Sequence, residues 1–201
     1  MAVVDDAVAA LRAGELVVLP TDTVYGLAGW AGSAEAASRI ARLKGRPGSM
    51  PIALVAASLD ALLACLPELP ERARVVARAL LPGPYTLILP NPGRRYPWLA
   101  AARPETIGVR VPELPDAARE VVEAVGAVAA TSANLHGGRD PRRLEDIPRE
   151  LREACGAVLE GGELPGIAST VLDFTAAEPV VVREGAAPAA EALAHALAAA
   201  G

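Results

Sequence analysis

The stretch LVVLPTDTVYGL, residues 16–27, is the segment around which the chain is organised. Its first four residues, 16–19, are apolar and predict a strand, and Pro20 ends that strand because proline cannot donate to a ladder. The next three, Thr-Asp-Thr at 21–23, place two hydroxyls and one carboxylate at the strand exit, where α/β folds usually carry their ligand sites. Pro-Thr-Asp is also ordinary turn chemistry, so this stretch alone leaves a plain turn and a functional site both open.

Glycine, proline and capping residues divide the rest of the chain into alternating elements. Helices are predicted over residues 5–13, 33–44, 70–81, 116–125 and 144–154, in a short segment after Ser58, and from 189 onward. Strands are predicted over residues 16–19, 51–56, 85–89, 106–111, 127–131, 157–159, 169–174 and 179–183. The last two strands are too close for a crossover helix, so part of the sheet should be antiparallel. We therefore expect a single α/β domain, residues 1–201, with a twisted mixed sheet flanked by helices.

Composition and charge limit the classes of function. Of the 201 residues, 52% are hydrophobic, and the net charge of −5 argues against broad electrostatic binding of nucleic acid while permitting a local basic pocket. The sequence contains two cysteines, Cys65 and Cys155, which lie 90 positions apart, and two histidines, His136 and His195. This set does not have the spacing of a zinc site. The acidic start of the chain, residues 1–6, is unlike a signal peptide, and there is no long apolar run. We expect a cytoplasmic protein without a membrane span.

Several familiar motifs are absent from the sequence. It contains no phosphate-binding Gly-x-x-x-x-Gly-Lys-Ser/Thr loop, no dinucleotide-binding glycine fingerprint and no Gly-x-Ser-x-Gly nucleophile elbow. Hydrolase, classical nucleotidase and dehydrogenase functions therefore have no support.

Polar clusters at the ends of elements are the remaining candidates. Lys44 and Arg46 follow a helix, where two cations could complement the helix dipole or clamp an anion. The segment Ser-Ala-Asn at 132–134 follows a buried strand, where it could be a turn or face a ligand. Arg110 and Arg183 lie near strand ends, where each could form an edge salt bridge or bind an anion.

Seven motifs, in this order along the chain, resemble those of the YrdC-type domain of the L-threonylcarbamoyladenylate synthases. The chain resembles the short, single-domain form of this family. The resemblance extends from about residue 6 to 190. The motifs are PTDTVYGL at 20–27, KGRP at 44–47, PGPYT at 82–86, RVP at 110–112, SAN at 132–134, STVLD at 169–173 and REG at 183–185.

The resemblance implies an activity and a set of partners. Members make L-threonylcarbamoyl-AMP and pyrophosphate from L-threonine, bicarbonate or CO₂, and ATP, with Mg²⁺ accompanying the ATP and held chiefly by its phosphates. A threonylcarbamoyl-transferase complex then modifies an adenosine beside the anticodon of tRNA. The resemblance also implies a concave, positively charged cavity, and hence a weak contact with tRNA.

The resemblance further implies roles for individual side chains. The positions that bind L-threonine are Thr23, Arg110, Ser132 and Ser169. The positions that bind the nucleotide are Lys44, Arg46, Thr106, Asn134 and Arg183, and the pair Lys44 and Arg46 is expected to be catalytic. No protein metal ligand is implied. The chain departs from the longer members at Met50 and Val55, where they often have Asn and His.

Two alternatives come from other classes. One is carbamoyl adenylation in another pathway, as in hydrogenase-maturation proteins, whose acylphosphatase and zinc-finger modules are not in this sequence. The other is an RNA-binding module without catalysis, against which the acidic composition and the 3% aromatic content weigh.

Overall fold

A computed structural model describes residues 2–47 and 50–201. Its strands are β1 (Leu16–Leu19), β2 (Gly26–Trp30), β3 (Ala53–Val55), β4 (Tyr85–Pro90), β5 (Thr106–Arg110), β6 (Val128–Ser132), β7 (Cys155–Val158), β8 (Thr170–Asp173) and β9 (Val180–Arg183). Its helices are α1 (Ala2–Arg12), α2 (Ala34–Leu43), α3 (Leu59–Cys65), α4 (Glu71–Leu80), α5 (Asp116–Val125), α6 (Arg149–Glu153) and α7 (Ala189–Ala200), with 3₁₀ turns at Pro97–Leu99 and Leu144–Asp146.

The strands form one nine-stranded sheet in the order β7-β1-β2-β6-β3-β5-β4-β8-β9. The pairs β1–β7, β3–β5 and β4–β8 are parallel, and the other five pairs are antiparallel. The antiparallel pairs include β8–β9, which the short link between these strands requires. The predicted α/β class with a mixed, partly antiparallel sheet flanked by helices is confirmed.

Strand β2 is an element that the sequence patterns did not predict. Two of its five residues are glycine, which strands usually disfavour. A Cβ added to Gly29 would lie 2.8 Å from both Ala36 Cβ and Leu16 Cδ2. Helix α2 therefore packs directly on the backbone of β2, and this close approach explains why glycine occupies a central strand.

The predicted helix over residues 144–154 was wrong in its extent. The segment contains a 3₁₀ turn at Leu144–Asp146 and then the short helix α6, with Ile147 in extended conformation between them. Pro148 causes the break, because the residue before a proline is disfavoured in the helical region.

The two faces of the sheet are covered unequally. Helices α2, α3, α4 and α7 pack on one face through buried side chains such as Ile40, Leu62 and Val76. Helices α1 and α5 cover part of the other face, where Leu11 and Val121 belong to a second apolar cluster. The uncovered part of this second face is concave and forms the cavity described below. Among the described residues, no helix has both the length and the apolar character needed to cross a membrane.

Candidate active site

The open part of the sheet encloses a cavity of about 810 Å³. Its floor is made of small residues on the central strands. Ala130 on β6 lies opposite Ala28 on one side and Ala53 on the other, and Gly108 on β5 also lines the cavity. Small side chains leave the sheet surface accessible, so a ligand can lie directly on it.

The fold brings eight of the nine predicted site residues to this cavity. They are Lys44, Arg46, Thr106, Arg110, Ser132, Asn134, Ser169 and Arg183. Arg103 adds another basic side chain to the lining and Asp140 an acidic one. The predicted positive charge of the cavity stays a prediction.

Thr23 is the predicted site residue that does not line the cavity, and it is fully buried. Its hydroxyl accepts a hydrogen bond from Arg110 Nη2 at 2.6 Å and lies 3.0 Å from Thr21 Oγ1. Thr21 Oγ1 donates to the Val24 carbonyl at 2.7 Å and accepts from the amides of Thr23 and Val24, both at 3.2 Å. In this arrangement Thr23 holds Arg110, and its direct contact with a ligand stays a prediction.

Arg110, at the end of β5, is a buried cation with unused donors. Its Nη2 donates to Asp22 Oδ1 and to Thr23, while its Nε is buried and has no hydrogen-bond partner among the described residues. The second oxygen of Asp22 accepts from the Glu113 amide at 3.3 Å. Burial lowers the pKa of Arg110, and the carboxylate of Asp22 opposes that shift. Nη1 makes no hydrogen bond to the described residues and, unlike Nε, is not shut off from the surface, so it is the donor that an acceptor on a ligand can reach.

Asp22, to which the sequence assigned no role, is the partner of the buried Arg110. It and Arg110 are only 12% and 11% exposed, so each neutralises the other away from solvent. The available signal was its position as the only carboxylate in the turn at 21–23. Its partner is 88 positions away, which is why local patterns could not identify the pair.

Two hydroxyls in the cavity can only accept hydrogen bonds from a ligand. Ser132 Oγ donates to Asn134 Oδ1 at 2.7 Å, and Thr106 Oγ1 donates to the Arg103 carbonyl at 2.9 Å. A hydroxyl has a single proton, so each offers only lone pairs to the cavity. These two hydroxyls therefore suit an amine or a hydroxyl group of a ligand, whereas the cationic Arg110 suits an anionic group.

Arg46 and Arg183 keep donors available. Arg183 directs Nε and Nη2 at the Ser169 carbonyl, at 3.2 and 2.7 Å, which leaves Nη1 without a hydrogen bond to the described residues. Arg46 Nη2 donates to the carbonyls of Met50 and Pro51. Its buried Nε has no hydrogen-bond partner among the described residues. Burial lowers the pKa of Arg46. Guanidinium groups with free donors are suited to phosphate oxygens.

Lys44 differs from the two arginines because all three hydrogen-bond donors of its ammonium group have partners. It donates to the Ser132 carbonyl at 2.5 Å, the Asn134 carbonyl at 2.5 Å and Asn134 Oδ1 at 2.7 Å. Ser169, the remaining predicted residue, is buried, and its hydroxyl lies 2.8 Å from Thr86 Oγ1.

Comparison with known proteins identifies the family of the chain. The sequence profile of the Sua5, YciO and YrdC proteins, described as "Telomere recombination", matches residues 9–185. The chain is a member of the Sua5/YciO/YrdC family. The resemblance of the seven motifs to a YrdC-type domain is thereby confirmed.

Relatives within the family carry a common name. The threonylcarbamoyl-AMP synthases of Pyrococcus abyssi and Bacillus subtilis are both 35% identical, over 90% and 89% of this chain. The chain spans about half the length of these curated relatives, 53% and 52% respectively. A crystal structure of P. abyssi Sua5 complexed with L-threonine matches with a TM-score of 0.81 and 33% identity, over 94% of this chain and 55% of that one.

The structure also locates Met50, where the sequence departs from the pattern of the longer family members, and Arg142. Met50, at the mouth of the cavity, is 38% exposed. Arg142 is not among the residues that line the cavity, and it pairs with Glu163 at 2.8 Å. Within residues 2–47 and 50–201, no group of three His, Cys, Asp or Glu side chains could hold a metal ion.

Replacing Gly108 with valine is expected to block the cavity without harming the fold. An added Cβ would meet only Thr86 Cγ2, at 3.9 Å, and β-branched residues suit strands. We expect the free energy of unfolding to stay within about 1 kcal/mol of the wild-type value. The affinity for a ligand in the cavity should fall at least about tenfold. Thermal denaturation and calorimetric titration measure the two effects.

Gly29→Val is the matched control for this prediction. Its Cβ would clash with Ala36 and Leu16, so we expect lower stability in a variant whose cavity is untouched. If Gly108→Val bound its ligands with wild-type affinity, the floor of the sheet would not be a binding surface.

Proposed function

We propose that this chain is an L-threonylcarbamoyladenylate synthase, a nucleotidyltransferase that makes L-threonylcarbamoyl-AMP and pyrophosphate from L-threonine, bicarbonate or CO₂, and ATP. The observation that carries the proposal is the buried Arg110, whose Nη1 makes no hydrogen bond to the described residues, beside a cavity of about 810 Å³ where Ser132 offers only lone pairs. An α-amino acid has the matching groups, a carboxylate and an amine. The complex of P. abyssi Sua5 with L-threonine supports the same choice.

L-Threonine is placed with its carboxylate on Arg110 and its donor groups on the hydroxyls. The unused donors of Arg110 bind the carboxylate, while Thr23 and Asp22 keep the guanidinium in position. Ser132 accepts a hydrogen bond from the amine or the hydroxyl of the substrate, and Ser169, which also lines the cavity, is the second hydroxyl.

The position of ATP follows from which side chains still have a free hydrogen-bond donor or acceptor. Because Thr106 can only accept, it cannot bind a phosphate oxygen, but it can accept from the adenine amine or a ribose hydroxyl. Arg46 and Arg183 keep donors for the phosphates. Asn134 uses one amide proton on the Gly138 carbonyl and retains the other for the nucleotide. Mg²⁺ accompanies ATP, held chiefly by the phosphates.

The reaction proceeds in two steps without a covalent enzyme intermediate. The threonine amine attacks CO₂, forms an N–C bond and loses a proton, which gives a carbamate. A carbamate oxygen then attacks the α-phosphorus, and the bond to the β-phosphate oxygen breaks to release pyrophosphate. The protein aligns the two substrates and stabilises the charge that develops at the α-phosphate.

The product is an activated acyl group that needs an acceptor. We assign that step to a threonylcarbamoyl-transferase complex acting on an adenosine beside the anticodon of tRNA, in the cytoplasm. Carbamoyl adenylation in another pathway is the alternative enzyme activity, and RNA binding without catalysis is the alternative from another class.

Pyrophosphate release separates these functions. With ATP present, we expect release to require both L-threonine and bicarbonate, and omission of either to abolish it. Turnover with carbamoyl phosphate in place of threonine and bicarbonate would favour the other pathway. Tight, steeply salt-dependent binding of tRNA in a filter assay, without turnover, would favour the RNA-binding module.

A further inference from the structure

Lys44 is the single lysine of a chain that contains 18 arginines. It follows α2 directly and is only 4% exposed. An ammonium group has three protons and no acceptor, and all three of these protons are donated to oxygens of Ser132 and Asn134. A contact between Lys44 and a phosphate would therefore require one of these hydrogen bonds to break.

The turn after β6 depends on this ammonium. The hydroxyl of Ser132 and the ammonium both donate to Asn134 Oδ1, while Asn134 Nδ2 donates to the Gly138 carbonyl at 2.7 Å. In the reverse direction, the His136 amide donates to the carbonyl of Lys44 at 2.9 Å. The end of α2 and the turn are thus joined by hydrogen bonds that run both ways.

We infer that Lys44 is a positioning residue that clamps the turn at 132–134, rather than a catalytic residue that contacts phosphate. The inference rests on the proposed function, since the clamp presents Ser132 to threonine and Asn134 to the nucleotide. It also explains why lysine is present here. Three oxygens converge on one atom, which suits a compact ammonium and not a planar guanidinium.

The protonation of Lys44 supports a clamp that is complete at neutral pH. Burial, and then the charge of Arg46, lower its pKa to about 8, while Asp140 opposes the shift. Below pH 8 the ammonium can donate three hydrogen bonds. Above that value the neutral amine can donate only two, and its lone pair would face an oxygen.

Binding of L-threonine without ATP tests the inference by calorimetry. We expect Lys44→Met to lower threonine affinity at least about tenfold, although Lys44 does not touch threonine, because the loss of three charge-assisted hydrogen bonds releases Ser132. Lys44→Arg should fail to restore the affinity. Arg46→Met is the matched variant, and it should weaken ATP while leaving threonine affinity within threefold of wild type.

The opposite pattern would overturn the inference. If Lys44→Met kept wild-type threonine affinity and weakened only ATP, or if Lys44→Arg restored activity, Lys44 would be a phosphate ligand. A circular dichroism melt of each variant confirms that the protein is folded.

Nuclear magnetic resonance tests the clamp independently of the function. Because the chain has one lysine, [¹⁵N]lysine labelling gives one side-chain Nζ signal. We expect slowly exchanging ammonium protons and a titration near pH 8. A rapidly exchanging group with an ordinary lysine pKa would exclude the clamp, even if the wild-type protein does bind threonine. Failure of the wild type to bind threonine, with a protected Nζ signal, would instead refute the proposed function alone.

Discussion

Replacing Arg110 with leucine is expected to lower the affinity for L-threonine about 10²-fold or more. The substitution removes the cation that we assign to the substrate carboxylate, and truncation of one partner in a buried, charged pair commonly has an effect of this size. It also leaves Asp22, which is 12% exposed, without its counter-ion. We therefore expect a loss of stability of about 3–5 kcal/mol. Calorimetric titration with threonine and thermal denaturation measure these effects.

Arg110→Lys distinguishes the role in binding from the role in folding. It keeps a positive charge beside Asp22 but lacks the planar fork, so we expect a folded protein whose threonine affinity is still at least about tenfold lower. Arg95→Lys is the matched control, because Arg95 pairs with Glu68 at 2.8 Å on the surface, where both side chains are nearly half exposed. Wild-type threonine affinity in both Arg110 variants would show that this arginine does not bind the carboxylate.

Selectivity among amino acids is the second expected result. Serine should react about 10- to 200-fold less efficiently than threonine, because only a methyl contact is lost. Valine should be rejected on the order of 10⁴-fold, because a site that hydrogen-bonds a hydroxyl discriminates strongly against its absence. In this cavity, Ser132 would lose the hydrogen bond that it accepts from the threonine hydroxyl. The measurement is kcat/KM for pyrophosphate release at saturating ATP and bicarbonate.

The control for this selectivity is Ser132→Ala. Removing the Ser132 hydroxyl removes the group that discriminates. The ratio of kcat/KM for threonine to that for valine should therefore fall, while the ratio for threonine to serine changes little. If wild-type protein used valine as well as serine, no residue of the cavity would be reading the hydroxyl.

The sequence predicted the class of the fold and named side chains that the structure brings to one cavity, but it did not predict the contacts that each of them makes. Eight of nine nominated side chains line one cavity, six of them on or next to strands β5, β6, β8 and β9 and two just after helix α2. Thr23 does not, and its hydroxyl instead contacts Thr21 and Arg110. Whether a donor is free depends on all its neighbours, which a linear motif does not contain.

The same reason explains the difference between Lys44 and Arg46. In the sequence they form one Lys-x-Arg pair, and nothing local separates them. In the fold, Lys44 is surrounded by oxygens from residues 88 and 90 positions away, whereas Arg46 retains a buried donor without a partner among the described residues. Strand β2 was unpredicted for a related reason, since the contact that requires Gly29 is made by α2.

The most direct test of the central claim is the identity of the product. The protein is incubated with ATP, L-threonine and ¹³C-bicarbonate, and the mixture is analysed by mass spectrometry. We expect threonylcarbamoyl-AMP carrying one ¹³C atom, formed in equal amount with pyrophosphate and absent when threonine is omitted. Pyrophosphate formed without threonine, or AMP without any ¹³C-labelled adduct, would contradict the account.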